Sequence, residues 1–403
     1  MSLARLALVA ALFVLSLITY IDRAAISSAK TPMSAELALT DQQMGAVFSA
    51  FALGYALAQV PSGWFADRLG PRLALATVVT VWSLFTAMTG LVRGFGALIV
   101  VRFLFGIAEA GAFPGGARAI YNWLPPGERG RANGIMMSGT RIGAALAFPL
   151  MAWLLGRWGW RNAFFLLAVP GLLWALFWAL LFRNHPPGGR AQHEAPSAPA
   201  LRLGEVLRSR GMLLNMFQYF SGNFTFFICI SWMLPYLESR YRLSLGEAAA
   251  YSMIPLAAGG LAQWTSGFLV DALYRSRWRA WSRRLPAMAG FGLAAAAILA
   301  VSSMETAAGA VACFAAATFG ADLTISPSWV YAIDIGGKSS GAVSGSMNML
   351  GNFGSFVSAN AFPFLYGLTG SAFAYFAVAS LLNLLSVACW ARMGPPPEAG
   401  RPS

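Results

Sequence analysis

The chain has 403 residues, of which 58% are hydrophobic and only 11% are charged, whereas soluble domains contain about 45–50% apolar and about 25% charged residues. This composition excludes a water-soluble protein, because a soluble fold of this size has too little interior to bury so much apolar surface. The formal net charge of +13 does not indicate a nucleic-acid partner, since most arginines lie in short connections at the ends of apolar runs.

Twelve apolar runs, separated by segments rich in Arg, Gly and Pro, are long enough to cross a lipid bilayer as helices. In chain order, the predicted spans are 6–27, 42–66, 73–92, 97–119, 132–153, 161–182, 212–237, 247–272, 285–304, 307–331, 340–366 and 370–391. The sequence therefore predicts an all-α membrane protein with 12 transmembrane helices and no separate soluble catalytic domain.

The basic residues are divided unequally between the two sides of these spans. Of the 28 Lys and Arg residues, 18 lie on the side of the two chain termini, six lie on the opposite side and four fall within spans. Cytoplasmic loops carry the excess of basic residues, so both termini are expected in the cytoplasm. We expect a multi-pass protein of the bacterial inner (plasma) membrane, surrounded by the lipid bilayer.

A polar segment at 183–210, rich in Pro, Gly, Ala and Ser, predicts a flexible cytoplasmic linker. It separates an N-terminal six-helix bundle at 1–182 from a C-terminal six-helix bundle at 211–403. Both histidines of the chain, His185 and His193, fall in this linker. The sequence therefore indicates no buried histidine for catalysis or for a metal site, and no cofactor.

The two halves of the chain resemble each other. The segment LAQVPSGWFAD at 57–67 recurs as LAQWTSGFLVD at 261–271. An acid followed five residues later by a proline occurs at Glu109 and again at Asp322. Six spans, a linker and six similar spans predict two pseudo-symmetric six-helix bundles, an arrangement typical of transporters.

Small and charged residues close the second span. They are Gly63, Asp67, Arg68, Gly70 and Arg72, and Asp271 repeats Asp67 in the second half. This is the signature loop of the major facilitator superfamily, which the sequence resembles along its whole length. We interpret it as a conformational latch whose charges pair when the cytoplasmic side is closed and separate when it opens. The alternative is an ordinary loop with positive-inside charges.

Asp22 and Arg23 in the first span, and Arg102 and Glu109 in the fourth, are charged residues inside predicted spans, where charge is costly and usually functional. Asp22 and Arg23 are neighbours in the first span, so they point about 100° apart and each needs a partner elsewhere. Arg102 and Glu109 are two turns apart on one face of the fourth span, about 10.5 Å along its axis. An apolar setting favours the protonated form of Glu109, as a proton carrier requires. The alternatives are a solvated end of the first span for Asp22 and Arg23, and a structural Arg–Glu contact between helices for the fourth span.

The sequence also resembles one family within the superfamily, the anion:cation symporters, which include proton-driven bacterial carriers of galactonate, glucarate and hexuronates. The motifs that carry this resemblance are Tyr20-Ile21-Asp22-Arg23, Ala50-Phe51 with Gly54-Tyr55, Arg102 to Glu109, and Trp123 with Pro125 to Arg129. The resemblance implies proton sites at Asp22 and Glu109, coupling of Arg102 to them, and a substrate site that includes Tyr20, Arg23 and Tyr55.

The second half is expected to supply polar groups for the rest of the substrate. Asn348 and Asn352 share one face of an unusually polar span, although small residues there also suit tight helix packing. Ser326 and Trp329 are substrate candidates in the tenth span, where Trp329 is equally compatible with lipid packing. Arg141 is an extra cation in the fifth span, and it could bind the second carboxylate of a dianionic substrate. Asp322 and Arg141 both depart from the family pattern.

Together these features predict a secondary active transporter for proton-coupled uptake of an organic anion, foremost a sugar acid (aldonate, uronate or aldarate), by alternating access. Its partners are expected to be the small anion, protons and lipid, and the protein is expected to act as a monomer. An organic-anion or organophosphate exchanger, or a drug exporter of the same fold, is the alternative. A polytopic enzyme or receptor is disfavoured, because the sequence has no HExxH motif or comparable catalytic set.

Overall fold

The computed structural model describes residues 2–186 and 203–394, and all regular structure in these residues is helical. The central part of the predicted linker, 187–202, and the last residues, 395–403, lie outside the described chain. The helices of the first half are α1 (Leu3–Ser28), α2 (Lys30–Leu37), α3 (Asp41–Leu69), α4 (Pro71–Thr89), α5 (Phe95–Glu109), α6 (Ala112–Trp123) and α7 (Arg129–Leu181).

Nine further α-helices follow in the described residues of the second half. They are α8 (Leu203–Arg208), α9 (Arg210–Ser231), α10 (Met233–Tyr241), α11 (Leu245–Tyr274), α12 (Arg284–Ala300), α13 (Ala307–Leu323), α14 (Ile325–Gly336), α15 (Ser340–Thr369) and α16 (Phe373–Arg392). Every predicted span is covered by one helix or by two consecutive helices.

Eight helical stretches of the described chain are long and apolar enough to cross a membrane. Two of them, Arg129–Leu181 and Ala307–Thr369, each cover two predicted spans. The first of these is broken at Gly159, whose φ of 72° lies in the left-handed region that glycine adopts without steric cost. The break falls between the fifth and sixth predicted spans, so the chain can turn there.

The same capping box begins the second span of each half. Thr40 caps α3 and exchanges hydrogen bonds with Gln43, and Ser244 caps α11 and exchanges hydrogen bonds with Glu247. These boxes satisfy amide groups that a helix start would leave unpaired. Their separation of 204 residues equals that of the repeated segments, so the repeat extends from sequence to local structure.

The described chain forms two compact units. The first unit contains the residues up to Leu124, those from Ile135 to the linker, and Gly336–Gly345. The second unit contains Pro125–Gly134, the residues from the linker to Ile335, and those from Ser346 onward. Each unit therefore includes the first turns of one long helix, α15 or α7, whose remainder belongs to the other unit.

A surface cluster joins three connections of the first unit. Arg161 Nε donates to Glu36 Oε1 at 2.8 Å, and Trp160 Nε1 donates to Glu36 Oε2 at 2.5 Å. Arg161 Nη1 also donates to the carbonyl oxygens of Gly90 and Val92. The hydrogen bond from Arg161, and then that from Trp160, hold the pKa of Glu36 below its usual value.

This depressed pKa predicts a pH-dependent contribution to stability. It is present above the unfolded-state pKa, about 4.3 for glutamate, and is lost as pH falls through the lower folded-state pKa. The Glu36→Gln variant should therefore melt at a lower temperature than the parent at neutral pH, and the difference should shrink below about pH 4. Melting curves across this pH range check the prediction. Glu305→Gln, at an exposed loop residue, is the control, and an equal effect there would contradict the assignment.

Candidate functional site

Two membrane-spanning segments are interrupted at equivalent places in the two halves. One break separates α5 from α6 and the other separates α13 from α14. Glu109 or Asp322 lies in the last turn before each break, and Pro114 or Pro327 follows it in the next half-helix. Interrupted helices in transporters expose backbone groups at substrate and ion sites. The sequence repeat therefore corresponds to a repeated local structure that carries an acid in each half.

A buried ion pair lies at the first break. Arg23 Nε of α1 donates to Glu109 Oε1 at 2.7 Å; the Glu109 side chain is fully buried, and the Arg23 side chain is 18% exposed. Asp22 is also buried, and α1 continues to Ser28. A solvated helix end at Asp22 and Arg23, the alternative from the sequence, does not describe this structure.

Aromatic rings surround the Arg23 guanidinium. Its central carbon lies 4.3 Å from the ring centre of Tyr55, 5.0 Å from that of Tyr20 and 5.4 Å from that of Phe51. A cation over an aromatic face is stabilised by the ring's quadrupole, more so when water is excluded. Tyr20, Arg23 and Tyr55, which the family resemblance assigns to the substrate site, thus lie together, with Phe51 as an addition.

The other two intramembrane charges lie in the same unit. Trp82 Nε1 donates to Asp22 Oδ2 at 3.2 Å, and the buried Arg102 guanidinium lies 4.4 Å from the ring centre of Phe105. Glu109 forms its ion pair with Arg23 of another helix, so this Arg–Glu contact runs between helices, as in the alternative from the sequence.

Several atoms of this cluster have no hydrogen-bond partner among the described residues. They are Asp22 Oδ1, Arg23 Nη2, Arg102 Nε and Glu109 Oε2, all of them buried. A buried polar atom without a partner is costly unless water, a proton or a ligand satisfies it. The cluster therefore has capacity for a small polar ligand and for protons.

Glycine lets the helices of this cluster approach closely. A Cβ atom added at Gly106 would overlap the carbonyl oxygen of Phe51, and one added at Gly54 would overlap that of Phe103. The resulting contact of α3 with α5 brings Tyr55 towards Glu109. Small residues on both spans were the available sequence signal for this packing.

The second-half candidates bind protein groups in this structure. Trp329 is 1% exposed and donates from Nε1 to the Tyr219 hydroxyl at 2.8 Å. Because the side chain is buried in protein, lipid packing of Trp329 is excluded. Ser326 Oγ donates to the Gly130 carbonyl at 3.0 Å, and Asn352 Nδ2 donates to the Asn348 carbonyl at 2.8 Å. Their substrate roles stay predictions.

The two departures from the family pattern are both buried. Arg141 is 8% exposed and Asp322 is 1% exposed. A Cβ atom added at Gly259 would overlap the carboxylate of Asp322. Glycine at position 259 therefore leaves room for this acid between α11 and α13.

The predicted latch acids each cap the start of a helix that is distant in sequence. Asp67 accepts hydrogen bonds at 2.8 Å from the backbone amides of Gly341 and Ala342, at the start of α15. Asp271 accepts from the backbone amides of Gly130 and Arg131, at 2.9 and 3.0 Å, at the start of α7. Amides at a helix start have no partner within the helix, and its dipole favours a negative charge there.

The basic residues of the latch differ from the predicted arrangement. Asp67 has Arg118 as its cationic neighbour, at 3.7 Å. Arg68 instead lies over the ring of Trp64, because adjacent residues of a helix point in different directions. Arg72 donates from Nε and Nη2 to the carbonyl oxygen of Ala179, at 2.9 and 2.6 Å. Asp67, Arg68 and Arg72 of the latch therefore make separate contacts and do not form one cluster of charges.

Glycines hold the latch helices in backbone contact, and the sequence analysis missed the glycines opposite Gly63 and Gly267. Cβ atoms added at Gly63 and Gly267 would overlap backbone atoms of Gly341 and Gly130, respectively. One turn further along, Gly345 and Gly134 lie against the carbonyl groups of Gln59 and Gln263. The signal was present as two Gly-xxx-Gly pairs, 130/134 and 341/345, which are separated by 211 residues and are typical of close helix contact.

Residues 12–359 match the profile of the Major Facilitator Superfamily. The chain belongs to the major facilitator superfamily. It is therefore a multi-pass membrane transporter and not an enzyme, and the predicted all-α fold of the superfamily is confirmed.

Among its relatives are transporters of organic acids. The chain is 33% identical to a probable sulfoacetate transporter of Cupriavidus necator, over 88% of this chain and 85% of the relative. It is 29% identical to the hexuronate transporter of Bacillus subtilis, over 89% and 87% of the two chains. The crystal structure of a human organic anion transporter superposes with a TM-score of 0.77, at 16% identity, and covers 97% of this chain and 100% of that one. The resemblance to sugar-acid transporters is thus confirmed at the level of family.

The two latch acids generate a reciprocal prediction. Asp67→Asn should raise amide hydrogen exchange at the start of α15, because asparagine turns an amide group towards a backbone N–H. Loss of a helix cap costs about 0.5–2 kcal/mol, typically ~1, so exchange there should rise about fivefold. Hydrogen–deuterium exchange with mass spectrometry measures this change. In Asp271→Asn, the matched control, the increase should move to the start of α7. The same exchange pattern in both variants would contradict the pairing.

Proposed function

We propose that this transporter takes up a small organic anion, foremost a sugar acid, together with protons. The observation that carries the proposal is the buried pair of Arg23 and Glu109, 2.7 Å apart. Arg23 is the group that a substrate carboxylate would bind, and in this structure Glu109 pairs with it. Substrate and Glu109 then compete for one guanidinium.

This competition would couple the substrate to a proton. An ionised Glu109 holds Arg23, whereas a protonated Glu109 gives up the charge that makes the pair strong. A proton on Glu109 therefore releases Arg23 for the substrate carboxylate. Because Asp22 is buried near this pair, we assign it the second proton, and Arg102 the role of linking the two acids electrostatically.

Neutralisation would also permit the conformational step. A site that holds one cation, one substrate carboxylate and protonated acids has little net charge to move through a low-dielectric environment. After release of the substrate and the proton, Arg23 pairs with Glu109 again. Alternating access by this cycle would use Asp67 and Asp271 as the contacts that form and break.

The polar groups near Arg23 favour a sugar acid as the substrate. The hydroxyl groups of Tyr20 and Tyr55 suit a polyhydroxylated acid, and the relatives named above include a hexuronate transporter and a probable sulfoacetate transporter. Arg141, Asn348 and Asn352 are proposed to bind the distal end of longer substrates, including the second carboxylate of an aldarate.

The unequal distribution of Lys and Arg supports insertion into a bacterial inner membrane with both termini in the cytoplasm. Since the ion pair lies within one chain, we also propose that the monomer is the transporting unit.

Uptake into proteoliposomes of labelled aldonates, uronates, aldarates and sulfoacetate, with and without an imposed pH gradient, tests the proposed proton-coupled transport. Uptake that needs a counter-anion and ignores the gradient would identify an exchanger instead.

The role of Glu109 predicts a separation of exchange from accumulation. Glu109→Gln resembles the protonated side chain, so the variant should bind and exchange substrate but lose pH-driven accumulation. Counterflow and gradient-driven uptake, measured in the same proteoliposomes, distinguish the two activities. Glu305→Gln, outside this cluster, should keep both. Full accumulation by Glu109→Gln would remove this residue from coupling.

Arg23 predicts the strength of substrate binding. A charge-assisted hydrogen bond contributes about 1.5–3 kcal/mol, so Arg23→Ala should weaken substrate binding about 10- to 150-fold. Arg23→Lys should weaken it less, because lysine keeps the charge but lacks the planar fork. Equilibrium binding to purified protein measures both, with the exposed Arg93→Ala as control. Unchanged affinity in Arg23→Ala would move the anion site, with Arg141 the next candidate.

A further inference from the structure

The connection between α11 and α12 has no counterpart of similar length in the first half. In the first half a single residue, Gly70, separates α3 from α4, whereas residues 275–283 separate α11 from α12. This insertion into the repeat reads RSRWRAWSR. Its composition of arginine and tryptophan is unlike that of a neutral spacer, and loops added to a conserved scaffold often carry binding functions.

The insertion carries a high density of positive charge. Five arginines lie between positions 275 and 284, and the printed sequence has no Asp or Glu from 272 to 304. The neighbouring acids in the second unit are already engaged: Asp271 accepts from backbone amides of α7, and Asp334 pairs with Arg129 and Arg283. The surface charge of the insertion is therefore not neutralised by these acids.

Three of the arginines are exposed, namely Arg275, Arg277 and Arg279. Arg279 donates to the Tyr274 hydroxyl and Arg275 to the Gly127 carbonyl, so both guanidinium groups are positioned by neutral partners. Arg277 has no hydrogen bond or ion pair within the described chain and contacts the ring of Trp278. All three retain their charge and donors for an external anion.

Two exposed tryptophans accompany these arginines. Trp278 is 46% exposed and Trp281 is 37% exposed, and Arg284 lies over the Trp281 ring at 4.3 Å. Arg284 also donates to the carbonyl oxygens of Trp390 and Ala391, which places the insertion beside the end of α16. Tryptophan is enriched at the level of lipid headgroups, where one part of the ring is apolar and the other is wet.

We propose that residues 275–284 form a binding site for the headgroup phosphate of an anionic phospholipid. Arg275, Arg277 and Arg279 would bind the phosphate, and Trp278 and Trp281 would contact the glycerol and the start of the acyl chains. Exposed arginine next to exposed tryptophan, at the junction of two membrane-spanning helices, fits a ligand that joins an anion to an apolar chain. A free anion would leave the tryptophans unused.

Lipid titration followed by native mass spectrometry of the purified protein tests this site. The parent should bind phosphatidylglycerol more tightly than phosphatidylcholine of the same acyl chains. Because one arginine near a membrane surface contributes about 1 kcal/mol, a double variant, Arg277→Gln with Arg279→Gln, should bind phosphatidylglycerol about 25-fold more weakly. Its affinity for phosphatidylcholine should not change.

Two controls make the result specific. Arg93→Gln with Arg157→Gln removes two exposed arginines elsewhere and should leave the affinity for phosphatidylglycerol unchanged. Trp278→Ala should weaken binding of the intact lipid while the arginines remain. Full phosphatidylglycerol affinity in the 277/279 variant, or an equal loss in the 93/157 variant, would overturn the proposal. Competition by inorganic phosphate at the lipid's own concentration would also overturn it, since the site would then be one for a free anion.

Discussion

The structure of the first unit depends on one requirement, that a charge removed from water must have a partner. Arg23 and Glu109 satisfy it for each other, and the aromatic rings around Arg23 stabilise the cation further. The pairing places α1 against the break between α5 and α6. Any ligand that takes Arg23 must leave Glu109 neutral or give it another partner, and this exchange is what makes the pair suitable for coupling.

The same kind of contact joins helices that are distant in sequence in both halves. An aspartate at the end of one helix caps the start of another, and glycines allow the two backbones to touch. Backbone amides are partners in both copies, and a cationic side chain adds to each: Arg131 Nε donates to Asp271 at 3.1 Å, and Arg118 lies 3.7 Å from Asp67. Ala342 and Arg131 occupy equivalent positions in the two copies, and both amides bind the carboxylate.

Membrane-spanning segments were predictable because the bilayer fixes the length of an apolar run, and each predicted span contains helix. The breaks after Glu109 and near Asp322 were not predicted, because the apolar pattern continues through them. Spacing along one helix placed Arg102 and Glu109 on one face, two turns apart, but the ion-pair partner of Glu109, Arg23, depends on how α1 packs. The acceptor role of Asp67 was hidden for a related reason: its partners are backbone amides, which no side-chain pattern records.

The distance along the chain between the latch partners affects the order of assembly. Asp67 and the amide of Gly341 are separated by 274 residues, so ribosomes complete most of the protein before this carboxylate can find its partner. The Asp271 contact is closed as soon as that residue has been made, since Gly130 precedes it by 141 residues. Biosynthesis would therefore complete one copy of the contact well before the other, although the finished structure contains both. In the interval, Asp67 at the end of α3 lacks the backbone amides that it caps, and Arg118, which is made before α15, is the cationic neighbour already present.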